Sequence, residues 1–295
     1  MPISTTPINV NRKTSGLVLP PDVSNEIWAN AVEESAVMQL ARRIDLPGSG
    51  LSIPVITGEP VADFVAESTE KPVSRATFET KTMTPYKISV IELFSDEFRR
   101  DMAALYDELV RRAPAAIGAK FDETVFFGNA PGTGFDTLAE ATEVSIAPAE
   151  ERTTYDGLMV VVSDLAAANA SIDGFALSPL GQATLLAATD NVGRPLFIDS
   201  VVNDGAIGRV LGARVVKSQS AYDQTNSVVG FAGDWSKARY GIVDGINIDF
   251  SDQATIDDGT NQVNLWQRNM FAVRIEAEVG FVVRGTDYFR KLTAE

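Results

Sequence analysis

The chain has 295 residues, 45% of them hydrophobic and 22% charged, and 40 acidic against 25 basic residues give a net charge of −15. Lacking both Cys and His, it can hold no disulfide, no thiolate, no Cys/His zinc site, no Ser-His-Asp triad and no histidine switch. The acidic excess argues against grasping a phosphate backbone, and no apolar run approaches the roughly 20 residues that span a bilayer.

No signal-peptide core follows Met1, so a soluble protein of one large or two modest domains, used or assembled inside a cell, is expected. Residues 1–21 are polar, carry Pro2, Pro7, Pro20 and Pro21, and read as an arm. Asp22 or Ser24 can cap a helix reaching about Arg43, with Ile27, Ala31, Met38 and Ala41 on its buried face. Pro47-Gly48-Ser49-Gly50 ends it. The pattern then turns to period two. Leu51, Ile53 and Val55 form one limb; Tyr86, Ile88 and Val90 form the return limb. Between them lies a polar stretch, 57–84, with Glu67, Glu70, Lys71, Arg75, Glu79 and Lys81. A two-stranded ribbon is marginal alone in water, so this hairpin is expected to lie on another molecule. The alternative is an edge hairpin folded back on its own domain.

Ser95 reads as an N-cap, with Asp96 and Glu97 in the favoured negative first turn. Leu105, Leu109, Ala113, Ile117, Phe121 and Val125 recur every four residues. A helix over 105–127 would be about 34 Å long, a strut across a domain. Pro114 predicts a kink or a fresh start within it. The run from Gly128 to Gly134 resembles a phosphate-cradling loop. It follows a helix, however, and lacks Gly-Lys-Ser/Thr, so it reads as a turn.

Pro148 marks a boundary. Leu158, Val161, Val162, Leu165 and Ala166 have helical spacing, and Phe175-Ala176-Leu177 reads as a buried strand. Ser178-Pro179 is an N-cap with Pro at the first helical position. Short strands over 211–216 and 228–232, with alternation at Ile246, Ile248 and Phe250, complete a compact α/β lobe over about 155–260. Asp257-Asp258-Gly259 lacks calcium-loop spacing and reads as a hairpin turn. Asp164, Asp173 and other scattered carboxylates form no pair that would support a hydrolase. Phe271, Val273, Ile275, Ala277, Val279, Phe281 and Val283 make one apolar face of a strand about 45 Å long. A long helix and a long strand thus bracket an inserted lobe.

This order of elements resembles the major capsid proteins of tailed bacteriophages with the HK97-type fold. Phe64-Val65-Ala66-Glu67-Ser68-Thr69-Glu70-Lys71-Pro72, Phe78 and Thr84-Pro85-Tyr86-Lys87 are similar to that family's extended loop. Phe126-Phe127-Gly128-Asn129 is similar to the end of its spine helix. Ser178-Pro179, the segment Asn191-Val192-Gly193-Arg194-Pro195-Leu196-Phe197 and Val228-Val229-Gly230-Phe231-Ala232-Gly233-Asp234 resemble its axial lobe. The resemblance implies an α+β, HK97-like fold: an N-terminal arm (1–25), an N-terminal helix (26–45) and an extended β-hairpin loop (46–94). A peripheral domain with the spine helix (95–150), an inserted axial α/β domain (151–261) and a peripheral long strand (262–295) follow. The C-terminal end is expected to return to the axial domain.

It also implies hexamers and pentamers of an icosahedral shell around double-stranded DNA, contacted non-specifically. The expected partners are the chain itself, a portal and a separately encoded scaffolding protein, since only a short arm precedes the first helix. No enzyme activity, cofactor, metal or membrane is implied, and the place of action is the virion, assembled in the host cytoplasm. Some members of the family form isopeptide bonds between a loop lysine and a peripheral asparagine, assisted by a glutamate. Lys71, Asn269 and Glu276 fall on those positions. Each also has a plain reading: a solvated tip charge, a residue at the start of a strand, and an ion-pair partner for Arg274. Two other readings stand beside the phage shell: an encapsulin-like cargo compartment, and an α/β enzyme or binding module with a hairpin lid.

Overall fold

The computed structural model describes residues 35–58, 62–65, 71, 73, 77–96, 102–147, 153–188, 208–243, 247–257 and 262–294. The expected arm, Asp22, Ser24, Ile27, Ala31, Glu97, Ile246, Asp258-Gly259 and the 191–197 motif lie outside these residues.

The helices are α1 (Ala36–Leu40), α2 (Met102–Phe126), α3 (Thr154–Ala167) and α4 (Pro179–Leu186). The first five strands are β1 (Arg42–Asp45), β2 (Leu51–Gly58), β3 (Thr77–Met83), β4 (Tyr86–Ser95) and β5 (Thr142–Ser145). After α3 come β6 (Gly174–Leu177), β7 (Arg209–Val210), β8 (Ala213–Lys217), β9 (Val228–Gly233) and β10 (Ala238–Ile242). The last five are β11 (Asn247–Ser251), β12 (Thr255–Asp257), β13 (Gln262–Asn264), β14 (Met270–Val283) and β15 (Phe289–Thr293).

Strand β14 is the spine of one sheet. It pairs antiparallel with β4 from Met270 to Val279, with β11 from Ala272 to Glu276 and with β10 from Val279 to Val283, while β1 adds parallel to β10. Because β4 and β11 address the same residues of β14, they lie on its two opposite edges. The odd-numbered face of β14 is apolar and enters the main core. The second sheet has the order β5-β15-β9-β6-β8-β7, so the C-terminal strand returns to the lobe between β5 and β9. Both β6 and β9 are buried throughout, as the middle of a two-faced sheet must be. Leu158, Val161 and Leu165 of α3 and Leu185 of α4 cover one face.

Helix α2 joins the two sheets. Phe121 meets Phe281 of β14 edge-on at 6.2 Å between ring centroids, and Phe126 stacks on Phe231 of β9 at 4.6 Å. One apolar cluster therefore spans both sheets, with the burial of aromatic area as its main source of stability.

Several expectations are corrected. The hairpin's return limb is β3, which pairs with β2 from Thr77 to Met83; Tyr86, Ile88 and Val90 belong to β4 in the β14 sheet. Ser95 is the last residue of β4, held in the sheet by its register with Met270, and the described part of the long helix begins only at Met102. The helix expected to reach Arg43 stops at Leu40, and Arg42–Asp45 is strand β1. Helix α2 runs through Pro114 as one element of 25 residues, about 37 Å long, without a fresh start. Strands β10 and β11 fall within the segment read as lobe, yet both pair with β14.

Other local readings agree with the structure. Ser178 caps α4, its hydroxyl accepting from the Gly181 N–H at 3.1 Å, with Pro179 in the first turn. Gly128–Gly134 is a turn: Gly134 has φ +82°, and its carbonyl accepts from the Thr84 N–H at 2.9 Å. Tyr86 donates its hydroxyl to Thr133 O at 2.8 Å, fastening that turn to β4.

Candidate functional site

The resemblance implies a chain that works by self-contact, and the site of such a chain lies on its surface, where side chains can meet another copy. The β2–β3 ribbon pairs over seven residue pairs, and its base is anchored by Ile53 and Met83 in a small buried cluster with Leu46 and Val282. Beyond it, Asp63, Phe64, Val65, Lys71 and Val73 are exposed, and Phe64 is fully so at 104% of its reference area. An apolar side chain in that position loses favourable burial until something covers it.

At the far end of β14, Asn269 adopts the left-handed conformation (φ 52°, ψ 51°) after a short 3-10 turn, Trp266–Arg268. That conformation is tolerated better by Asn than by most residues, and it turns the chain sharply into β14. Asn269 is exposed, and Trp266 beside it is 69% exposed. Asn269 O accepts from the Asp96 N–H at 2.8 Å, so the two backbones meet where β4 ends and β14 begins.

Glu276 stands on the polar face of β14. Its Oε2 is 3.4 Å from Lys87 Nζ and its Oε1 is 3.4 Å from Arg274 Nε. Arg274 also donates to Asp249 Oδ2 at 2.8 Å, and hydrogen bonding to that carboxylate holds its guanidinium above its usual value. Lys87 reaches Glu278 at 3.7 Å. These charges form an alternating-sign ladder over β4, β14 and β11, so the ion-pair reading of Glu276 holds within one copy. Glu276 lies seven residues beyond Asn269, about 24 Å along an extended strand. The fold therefore does not bring Asn269 and Glu276 of one copy into a single site.

The most deeply buried charge among the described residues was not read from the sequence. Asp122 of α2 is fully buried and accepts from Ser35 Oγ at 2.6 Å, Ala36 N at 2.9 Å, Val37 N at 3.2 Å and Ser218 Oγ at 2.9 Å. Burial raises its pKa above the ordinary 3.8, and the four hydrogen bonds only partly offset that. It pins the start of α1 and the end of β8 to the long helix. A lone aspartate on an otherwise apolar helix face, next to Phe121, is the sequence signal that could have marked it.

Among the described residues no group of three or more His, Cys, Asp or Glu is placed to hold a metal ion, and no helix is long and apolar enough to cross a membrane. The model of the phage capsid family matches residues 15–294. This chain belongs to the phage capsid family. It is 33% identical over 293 residues to the probable major capsid protein gp17 of Mycobacterium phage L5, covering 93% of this chain and 89% of that one. The corresponding protein of Mycobacterium phage D29 is 31% identical over 292 residues, with the same coverage. Among solved structures, a chain of Mycobacterium phage Adephagia superposes with TM-score 0.70 at 23% identity, over 88% of this chain and 89% of that one. A capsid chain of an empty GTA particle does so with TM-score 0.67 at 13% identity, over 89% and 90%.

The α+β arrangement is thus the HK97-like capsid fold, and the capsid protein is a structural component of a phage shell, not an enzyme. The reading as an enzyme or binding module with a lid is set aside by that membership. The long helix, the β2–β3 ribbon and the β14 sheet can then be read together as parts of a self-assembling capsid subunit.

Proposed function

We propose that this capsid protein tiles an icosahedral shell as hexamers and pentamers around packaged double-stranded DNA, which it contacts non-specifically. The supporting observation is the family match across 15–294, joined to a ribbon whose described tip residues are exposed. In this reading the β14 sheet with α2 is the peripheral part and the six-stranded sheet with α3 and α4 is the axial part. The ribbon of one copy lies across a neighbour, covering Phe64 and Val73. A portal and a separately encoded scaffolding protein complete the assembly, which takes place in the host cytoplasm. Size exclusion with light scattering, followed by electron microscopy of the leading peak, tests the reading. Megadalton shells or rings of five and six are expected; a monomer or dimer under all salt and scaffold conditions would overturn it.

A second proposal concerns the tip. Lys71 sits between exposed Phe64 and Val73, and Asn269 sits beside exposed Trp266. If the tip of one copy docks on the Trp266 turn of another, all five become desolvated together. Desolvation disfavours the ammonium form, and only a neutral lysine is a nucleophile. A nearby carboxylate takes the ammonium proton, Lys71 Nζ bonds to Asn269 Cγ, and the amide nitrogen leaves as ammonia and is protonated on release. Glu276 would have to come from a further copy and give up Lys87 and Arg274, whereas Asp96 belongs to the copy that supplies Asn269, its backbone N–H bonded to the Asn269 carbonyl.

A further inference from the structure

A cavity of about 250 Å³ opens where the base of the β2–β3 ribbon meets the end of β14. Ile53 and Val282 give it an apolar wall, while Lys81, Lys237, Arg239 and Arg284 line the rest. Four cations around one small cavity are unexpected in a chain of net charge −15.

Lys81 and Lys237 each stand beside a carboxylate of the same copy. Asp136 Oδ2 is 3.0 Å from Lys81 Nζ, and Asp234 Oδ2 is 3.9 Å from Lys237 Nζ. Arg284 lies over the Tyr288 ring at 5.8 Å. Arg239 has no ion-pair partner among the described residues. It is also the Cα partner of Arg42 across the parallel β1–β10 pair, so two guanidinium side chains share one face of adjacent strands. Like charges placed directly opposite each other on a sheet are destabilising. An anion entering the cavity relieves that repulsion.

The cavity's size and lining select among anions. It falls below the roughly 300–1,000 Å³ of sites for drug-sized ligands. One carboxylate with its methylene stem fits such a space, the stem against Ile53 and Val282 and the oxygens among the cations. A phosphodiester backbone is instead recognised along an open track of charge. In a shell of this chain, the most abundant carboxylates are those of neighbouring copies, each carrying 40 acidic residues.

We propose that this cavity is an intersubunit carboxylate site, taking an Asp or Glu side chain from a second copy of the chain against Arg239, Lys237 and Arg284. The inference rests on the shell reading above and names one of its contacts.

Shells co-assembled from equal parts of unlabelled and nitrogen-15 chains, treated with a water-soluble carbodiimide, provide the test. That reagent joins an amine to a carboxylate only when they touch, and both Lys81 and Lys237 are partly exposed. The expected result is a peptide pair of mixed isotope composition linking Lys237 or Lys81 to an Asp or Glu. Shells that yield only same-copy links, Lys81 to Asp136 and Lys237 to Asp234, would overturn the site while leaving the shell reading intact. Failure to form any shell or ring would overturn both.

As a second measurement, Arg239→Glu should cut shell yield roughly tenfold, since it turns an interfacial attraction into repulsion, with a melting temperature no lower than wild type because Glu faces Arg42 across the strand pair, while Arg239→Lys retains most of the yield. Equal yield from Arg239→Glu would refute the proposal. So would normal shells of Arg239→Glu that have lost only their retained DNA, which would assign the cavity to phosphate.

Discussion

The carboxylate of Asp122 and the hydroxyl of Ser218, 96 residues apart in sequence, lie 2.9 Å apart in the core where the long helix meets the lobe. The same carboxylate receives two backbone N–H groups at the start of α1. One side chain thus fixes three segments. Asp122→Asn keeps the shape but turns an amide NH₂ toward either Ala36 N–H or Val37 N–H, leaving a buried donor facing a donor. We expect a loss of about 3 kcal/mol in urea unfolding.

The pH dependence follows from the direction of its shift. The folded state holds the Asp122 proton more tightly than the unfolded chain, so Asp122 favours folding most below the ordinary 3.8. That contribution is lost as pH rises through its raised folded value. The stability of wild type relative to Asp122→Asn should therefore decline as pH rises across that window, measured by unfolding both proteins at matched pH. A difference growing with pH would contradict the assignment.

Gly134 is the second sensitive point. Its φ of +82° suits glycine, and a Cβ there would meet Thr84 Oγ1 at 2.5 Å and Thr82 O at 2.9 Å. Since its carbonyl also holds the Thr84 N–H, the turn after α2 sets the junction of β3 and β4. Gly134→Ala should cost about 2 kcal/mol and lower the melting temperature. Gly212 also has positive φ (+83°) but nothing within 4 Å of a Cβ, so Gly212→Ala should cost less.

These two sites also mark what a linear reading reaches. Strand β14 was legible because its odd residues enter the core while Arg274, Glu276 and Glu278 stand on the other face. The α4 cap was legible because Ser178 and Pro179 act on their own next turn. Pairing was not. The alternation of Tyr86, Ile88 and Val90 is the same whether their neighbour is β2 or β14, and only the closed sheet decides. The fresh start read at Pro114 was overridden for a related reason: one lost hydrogen bond stops an isolated helix more readily than one whose far end is packed between two sheets. Asp122 and the left-handed Asn269 depend on contacts across the fold and left only faint local signals.

Assembly should depend on salt in a definite direction. Subunits of net charge −15 repel one another, and the screening length falls from about 30 Å at 0.01 M to about 8 Å at 0.15 M. Shell yield, followed by light scattering, should rise over that range. A contact inside a partly enclosed cavity is screened less than exposed charges, so Arg239→Glu should remain deficient at the higher salt. Yield independent of ionic strength would show that surface repulsion does not control assembly.

The cross-link is decided on a denaturing gel of fully expanded particles. If the tip of one copy docks beside Asn269 of another, wild-type particles should run as a ladder of multimers, and Lys71→Arg and Asn269→Ala particles as monomer. The assisting carboxylate is then separable. Within one copy Glu276 is about 24 Å of strand from Asn269 and engaged by Lys87 and Arg274, whereas the Asp96 N–H bonds to the Asn269 carbonyl. Loss of the ladder in Asp96→Asn but not in Glu276→Gln would mean that the acid comes from the copy that supplies the asparagine. Loss in Glu276→Gln alone would mean that a third copy completes the site. Monomer alone from wild-type particles that have fully expanded would show that Lys71 is a solvated tip charge and that the shell is held by non-covalent contacts.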